Sequence, residues 1–376
     1  MRKRRYAFGA IIAAIAMVLL AACQGNSGSS AGGLKIGLVT DVGTLNDHNF
    51  NQYSWEGAQD GASKIGATAR AAQSTVSADI ARNIKSFTDQ KYDIIVTVGF
   101  AAGADTIKAA KANPTIKFIG VDQSPCVDTQ GNNDPNFGCK GDAGKLLPNL
   151  QGIQWKEQQP GYLAGIVAGS ITKSKHIAAI GGTASVPAVP NYMIGYLNGA
   201  HSVDPSIKVE LKYVSAAPDK KAFNDAPGGK AFTQQLLRQF PDIDVMFQVA
   251  GATGNGVLQA ACAANIKAIG VDVDQHLSTP ESDACIVTSA EKFLKKNVSD
   301  AIQRIKAGTA KGGTVKLDIS TDDVGLAPFY SFDSLITADI KAKIADATAK
   351  MKDGSLKACP ENQFGGCNAT KDGQPA

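Results

Sequence analysis

Short apolar runs alternate along this chain with longer stretches whose apolar residues recur every three to four positions. The runs at 34–39, 93–98, 117–121, 176–180, 245–249, 267–271 and 284–288 have strand length, and 208–214 alternates apolar with polar residues. The stretches at 50–65, 101–112, 161–171, 232–240, 255–264, 290–307 and 337–351 have helical period. Asn113-Pro114 stops the second of these and Pro241 the fourth. Apolar strands separated by amphipathic helices predict βα units, with parallel sheets covered by helices on both faces. The strands are too many for one tidy sheet, so the pattern predicts an α/β protein of two parallel-sheet lobes. Two segments break the rhythm. Residues 124–148 are rich in Asn, Asp, Pro and Gly and predict a long loop; the tail after Gly354 has little apolar content and predicts a surface extension.

The N-terminus has a different pattern. Arg2-Lys3-Arg4-Arg5 precedes 17 residues without charge, then Cys23 and a Ser/Gly tract at 25–33. A basic start, a short apolar run and a small-residue exit predict a secretory signal peptide over 1–22. The alternative, a membrane-spanning anchor, is at the short limit for ~30 Å of hydrocarbon. Leu20-Ala21-Ala22-Cys23 resembles the bacterial lipobox, which implies cleavage before Cys23, lipidation of that cysteine and a flexible tether over 23–33. The expected location is the cell membrane, lipid-anchored on the extracytoplasmic face. The full chain of 376 residues carries a net charge of +4, but removing 1–22 leaves 34 basic and 34 acidic residues. A balanced chain gives no reason to expect nucleic acid as a partner. Of seven cysteines, Cys23 is then the odd one. An even set in an exported chain suggests disulfides, with buried free thiols as the alternative. Sequence leaves the pairing open; neighbours are the economical choice, giving Cys126–Cys139, Cys262–Cys285 and Cys359–Cys367.

In open parallel sheets, ligands bind beyond the carboxyl ends of the strands. After 34–39 comes a polar cluster with Asp41, Asn46, Asp47, Asn49, Asn51 and Gln52, and with one aromatic, Phe50, inside it. Helix capping explains the polar residues but not Phe50. Two strands end in the same tripeptide, Gly120-Val121-Asp122 and Gly270-Val271-Asp272. A carboxylate there can accept ligand N–H or O–H groups, though a lone one serves equally as a turn residue. Gly251-Ala-Thr-Gly254-Asn255-Gly256 opens a helix without matching a phosphate-binding motif, so close approach to an uncharged ligand is as reasonable. A loop from Gly181-Gly182 leads to Tyr192. Lys292 falls in the first turn of the helix expected after 284–288, where it opposes the helix dipole, suggesting a ligand or acidic partner, with a solvated surface lysine as the equal alternative. The four histidines are scattered without metal-ligand spacing, and there is no G-x-S-x-G elbow. No cofactor or metal is expected.

These residues also carry a resemblance. The run from Asp41 through Asn46-Asp47 to Phe50-Asn51-Gln52 resembles the N-terminal signature of the basic membrane protein (BMP) family, substrate-binding lipoproteins of ABC transporters similar to the purine nucleoside receptor A lipoproteins. Gln159-Pro160-Gly161-Tyr162-Leu163-Ala164-Gly165, Gly181-Gly182 with Pro187-Ala188-Val189, Gly251-Ala252-Thr253-Gly254, Gly270 to Gln275 and Thr288-Ser289-Ala290-Glu291-Lys292 follow in family order across roughly 34–350. The resemblance implies a type I periplasmic-binding-protein fold, two α/β lobes joined by a multi-crossover hinge. The lobes would comprise 34–155 plus 276–318 and 156–275 plus 319–353, with 354–376 as an extension. It implies a purine nucleoside in the cleft, an ABC permease as partner, and a monomer. Phe50 and Tyr192 would stack on the base. Asp41, Asn49 and Asp122 would meet its edge. Asp272, Lys292 and backbone near Gly251 would hold the ribose. Tyr192 stands where the family pattern has Phe, so its hydroxyl needs a partner. A binding lipoprotein for a sugar or other small polar solute, and a nucleoside-cleaving enzyme, are the alternatives.

Overall fold

The computed structural model describes residues 33–376, so the expected signal peptide, Cys23 and nearly all of the tether lie outside the described residues. In chain order the principal elements are β1 (Lys35–Val42), α1 (Phe50–Lys64), β2 (Thr68–Ser74), α2 (Ser77–Asp89), β3 (Ile94–Val98), α3 (Gly103–Ala112), β4 (Lys117–Val121), β5 (Leu150–Trp155), α4 (Gln158–Ile171), β6 (His176–Gly181), α5 (Ala188–Val203), β7 (Lys208–Tyr213), α6 (Ala226–Gln239), β8 (Val245–Val249), α7 (Gly251–Ala263), β9 (Lys267–Asp272), β10 (Ile286–Lys292), α8 (Leu294–Lys306), β11 (Gly313–Leu317), β12 (Val324–Leu326) and α9 (Ala338–Lys352).

The strands form two six-stranded sheets, β11-β5-β4-β3-β1-β2 and β12-β10-β9-β8-β6-β7. Every pairing is parallel except that of β10 with β12. The central strands β3, β6 and β8 are buried along their whole length, as strands covered on both faces must be. The covering helices turn one apolar stripe inward: α2 buries Ile80, Ile84 and Phe87, and α8 buries Leu294, Val298, Ala301 and Ile302. The chain passes between sheets after β5, after β10 and between β11 and β12.

Two expectations need correction. Residues 284–288 were expected as a strand and 290–307 as a helix, with Lys292 in its first turn. Instead β10 continues to Lys292, and α8 begins at Leu294. Ser289 and Ala290 are small, buried residues that pair with β9 on one side and, through Ala290, Glu291 and Lys292, with β12 on the other. Two-sided pairing overrides the local helical preference. The same pairing puts β10 in the second sheet, so 286–292 belongs to the second lobe and not to the first. The tail after Gly354 is fastened to the body of the protein. Cys359 and Cys367 are buried, Cys367 N–H donates to Asn191 Oδ1 at 2.8 Å, and Tyr213 Oη donates to the Gly373 carbonyl at 2.7 Å. It lies against the second lobe. The structure joins Cys126 to Cys139, Cys262 to Cys285 and Cys359 to Cys367.

Helices α4 and α5 meet along glycines. A Cβ on Gly161 or Gly165 would overlap the Tyr192 or Tyr196 carbonyl; one on Gly195 or Gly199 would overlap the Gln158 or Tyr162 carbonyl. The two backbones therefore touch, and this contact fixes the height of Tyr192 in the second lobe.

Candidate functional site

The carboxyl ends of both sheets face one space between the lobes. Phe50 opens α1, where the Asp47 carboxylate caps the helix by accepting from the N–H groups of Asn49, Asn51 and Gln52 at 2.8–3.0 Å. Capping is thus done by Asp47, and Phe50 is left free to line the space. Asp41 follows the regular part of β1, with its carboxylate accepting from Val42 N–H at 2.7 Å. Gly99, at φ 90°, makes room for it, since a Cβ there would overlap Asp41 Oδ2.

Asp122 and Asp272 end their strands in matching conformations, both left-handed at φ 55° and 66°. Asp tolerates this region better than most residues, and such backbone strain gathers at functional sites. Between them lies Lys292. Its ammonium donates to Asp122 Oδ2 at 2.5 Å across the cleft and lies 3.3 Å from Asp272 Oδ1. It also lies 4.7 Å from the Phe50 ring centroid, 5.5 Å from Trp155 and 5.9 Å from Tyr192, within cation–π reach of all three. Lys292 is only 2% exposed.

Burial opposes the charge on Lys292, but the carboxylates of Asp122, Asp272 and Glu157 outweigh it and hold the ammonium above its ordinary pKa. Burial raises the Asp122 carboxyl, and Lys292 pulls it back. Burial pushes Asp41 up to about 6 and Glu157 to about 7, the latter opposed by Lys292. The Tyr192 hydroxyl has no hydrogen-bond partner among the described residues, and burial beside Asp272 raises it far above its ordinary value. Among the described residues, Lys292 therefore faces three acids, Asp122, Asp272 and Glu157, with Asp41 lining the same space. Such a set suits a ligand rich in N–H and O–H donors and disfavours an anion.

Asp41, Phe50, Asp122, Tyr192, Gly251, Asp272 and Lys292 all line this space. Asn49 does not. It is fully buried beside the start of α1, with both side-chain polar atoms unpartnered among the described residues. Sequence reasoning missed Phe100, Phe223 and Glu157. Phe100 follows β3 directly, so asking what lies beyond each strand end could have found it; Glu157 sits at a crossing no motif marks. The enclosed volume is about 70 Å³, against roughly 300–1,000 Å³ for ligand pockets. Entry of a ligand requires the lobes to part. Asn255 Nδ2 donating to the Asp47 carbonyl (3.0 Å) and Ser278 Oγ to that of His48 (2.8 Å) join them beside Lys292–Asp122.

Residues 35–358 match the Bmp family, described as ABC transporter substrate-binding protein PnrA-like. The chain belongs to this family. It is 30% identical over 382 residues to the ABC transporter nucleoside-binding protein BmpA of Lactococcus lactis, covering 95% of this chain and 99% of that one. Among solved structures, an ABC transporter solute-binding protein from Aeropyrum pernix superposes with a TM-score of 0.73 at 21% identity, over 86% of this chain and 92% of the other. A carbohydrate transporter solute-binding protein from Agrobacterium radiobacter, in complex with D-arabinose, gives 0.58 at 18% identity, over 84% and 100%. The fold of this Bmp-family chain is that of type I periplasmic solute-binding proteins, and its place is in an ABC transport system as the substrate-binding component.

Proposed function

We propose that this Bmp-family protein binds a purine nucleoside between its lobes and hands it to an ABC permease, without altering it chemically. The observation that carries this reading is the convergence of Phe50 and Tyr192, from opposite lobes, on one buried lysine ringed by carboxylates. A purine offers two faces for aromatic contact, worth ~1–3 kcal/mol per base in nucleic-acid sites. Its edge offers N–H donors suited to Asp41 and Asp122. The ribose diol suits Asp272 with Lys292. Asn49 reaches a ligand only if opening of the lobes exposes it. The surplus of acids argues against a nucleotide. The name of the Lactococcus relative agrees with this reading.

Lipidation of Cys23 after removal of 1–22 would hold the protein on the extracytoplasmic face of the membrane; the mass of the membrane-extracted protein tests this. Titration calorimetry of protein starting at residue 24 tests the ligand. One-to-one binding of adenosine, guanosine or inosine is expected. Heat with a pentose and none with any nucleoside would move the reading to a sugar, the ligand class of the arabinose-bound neighbour. Release of free base on long incubation would make the protein an enzyme.

A further inference from the structure

A second cavity of about 350 Å³ opens beside the cleft. The two spaces share Phe100, Asp122, Val186 and Ala188, so they lie side by side. Its outer wall comes from the two segments that break the βα rhythm. From the first lobe, the loop closed by Cys126–Cys139 brings Phe137 to within 6.1 Å of the Phe100 ring, in a stacked arrangement. From the second, the tail closed by Cys359–Cys367 brings Phe364 to 6.5 Å from Phe137, edge to face. Phe137 is held at φ 53°, a conformation bulky residues rarely adopt and which often marks function. It is 48% exposed, so no core contact explains its placement. The titratable side chains lining this cavity are both acids, Asp122 and Glu157.

We propose that this side chamber receives a neutral aromatic or aliphatic substituent on the edge of the purine, making the protein a receptor for base-modified as well as unmodified nucleosides. The inference rests on the nucleoside reading above. Asp122 is the link: the residue lines both spaces and meets the base edge in that reading, so a group on the exocyclic nitrogen would extend past it into the chamber. The volume falls within the range of ligand pockets. Three phenylalanine rings suit an apolar group, and two acids reject an anionic one.

The test is calorimetry of adenosine, N6-benzyladenosine and an N6-substituted adenosine bearing two carboxylates. The expected result is binding of the benzyl compound within about tenfold of adenosine, with the dicarboxylate at least about a hundredfold weaker, since unpaired burial of its charge is unfavourable. Phe137→Ala should weaken the benzyl compound about fivefold or more through lost apolar contact and leave adenosine unchanged. Ser185→Trp, at an exposed residue that lines the chamber but not the cleft, should block the benzyl compound alone. Adenosine binding without benzyladenosine binding would overturn the chamber and leave the cleft intact, as would either variant affecting both ligands equally. Failure of every nucleoside to bind would overturn both readings.

Discussion

At the floor of the cleft, Lys292 is 2% exposed and held by carboxylates from both lobes; at its mouth, Phe137 is 48% exposed and held by a disulfide-tied loop. The floor stands on strand ends, whose positions the two sheets fix. The mouth stands on segments without regular structure, and covalent bonds substitute for the missing ladder. The difference separates two jobs. Buried charges on rigid elements define what every ligand shares. Exposed rings on tethered loops can vary in size or shape without disturbing the fold, which is where a choice among related ligands is best placed.

The comparison is broken most severely at Lys292. Lys292→Ala leaves Asp122, Asp272 and Glu157 buried without their cation, and loss of one partner from such a cluster costs about 3–5 kcal/mol. Urea unfolding should show this, and a variant of wild-type stability would mean the acids are not charged in the fold. Next comes Phe50→Ala. Phe50 is only half-buried, so stability should hold while nucleoside affinity falls by ~1–3 kcal/mol; unchanged affinity would remove Phe50 from the site. Gly195→Ala tests whether backbone contact between α4 and α5 sets the floor. Its Cβ would overlap the Gln158 carbonyl, so a loss of about 1–3 kcal/mol in stability is expected from overpacking, with weaker ligand binding through displaced Tyr192.

Acid titration makes a smaller mark. Asp41 and Glu157 have raised folded pKa values, about 6 and about 7. In the unfolded chain they ionise near 4, so between there and their folded values only the folded form keeps the proton. Their contribution therefore favours folding at low pH and is lost as pH rises through 4 to 7. The melting midpoint of the isolated protein should drop from pH 5 to pH 7.5 by more in the wild type than in Glu157→Gln. The smallest effect belongs to the mouth. Replacing Cys126 and Cys139 together by Ser should shift adenosine affinity by less than about twofold, a few tenths of a kcal/mol, and a tenfold change would show that floor and mouth are not separable.

How much of this could be read beforehand follows the same division. Strands buried on both faces announce themselves as apolar runs, so β3, β4, β8 and β9 and the Asp residues ending two of them stood out. β2 was missed because it is an edge strand with alternating exposure and a sequence of Thr, Ala, Arg and Gln. Lys292 was placed on the wrong element because its strand pairs on both sides with partners distant in sequence, which no local period reports. The fastening of the tail was not legible for a related reason. A disulfide within the tail shapes it and hydrogen bonds to Asn191 and Tyr213 fasten it to the body, and polar fastenings leave no apolar signature.

The contacts joining the lobes have an energetic consequence. Lys292–Asp122, Asn255 to the Asp47 carbonyl and Ser278 to the His48 carbonyl are interactions the protein makes with itself. A ligand entering between Phe50 and Tyr192 must exchange its own contacts for some of these, so its measured affinity is only the surplus. The same exchange runs backwards at the membrane. A permease that draws the lobes apart need not wrench the ligand from an otherwise unsatisfied cavity, because Lys292 has Asp122 to return to. Capture and release would then be two directions of one competition, and the lysine is the counterweight that keeps it close to balanced.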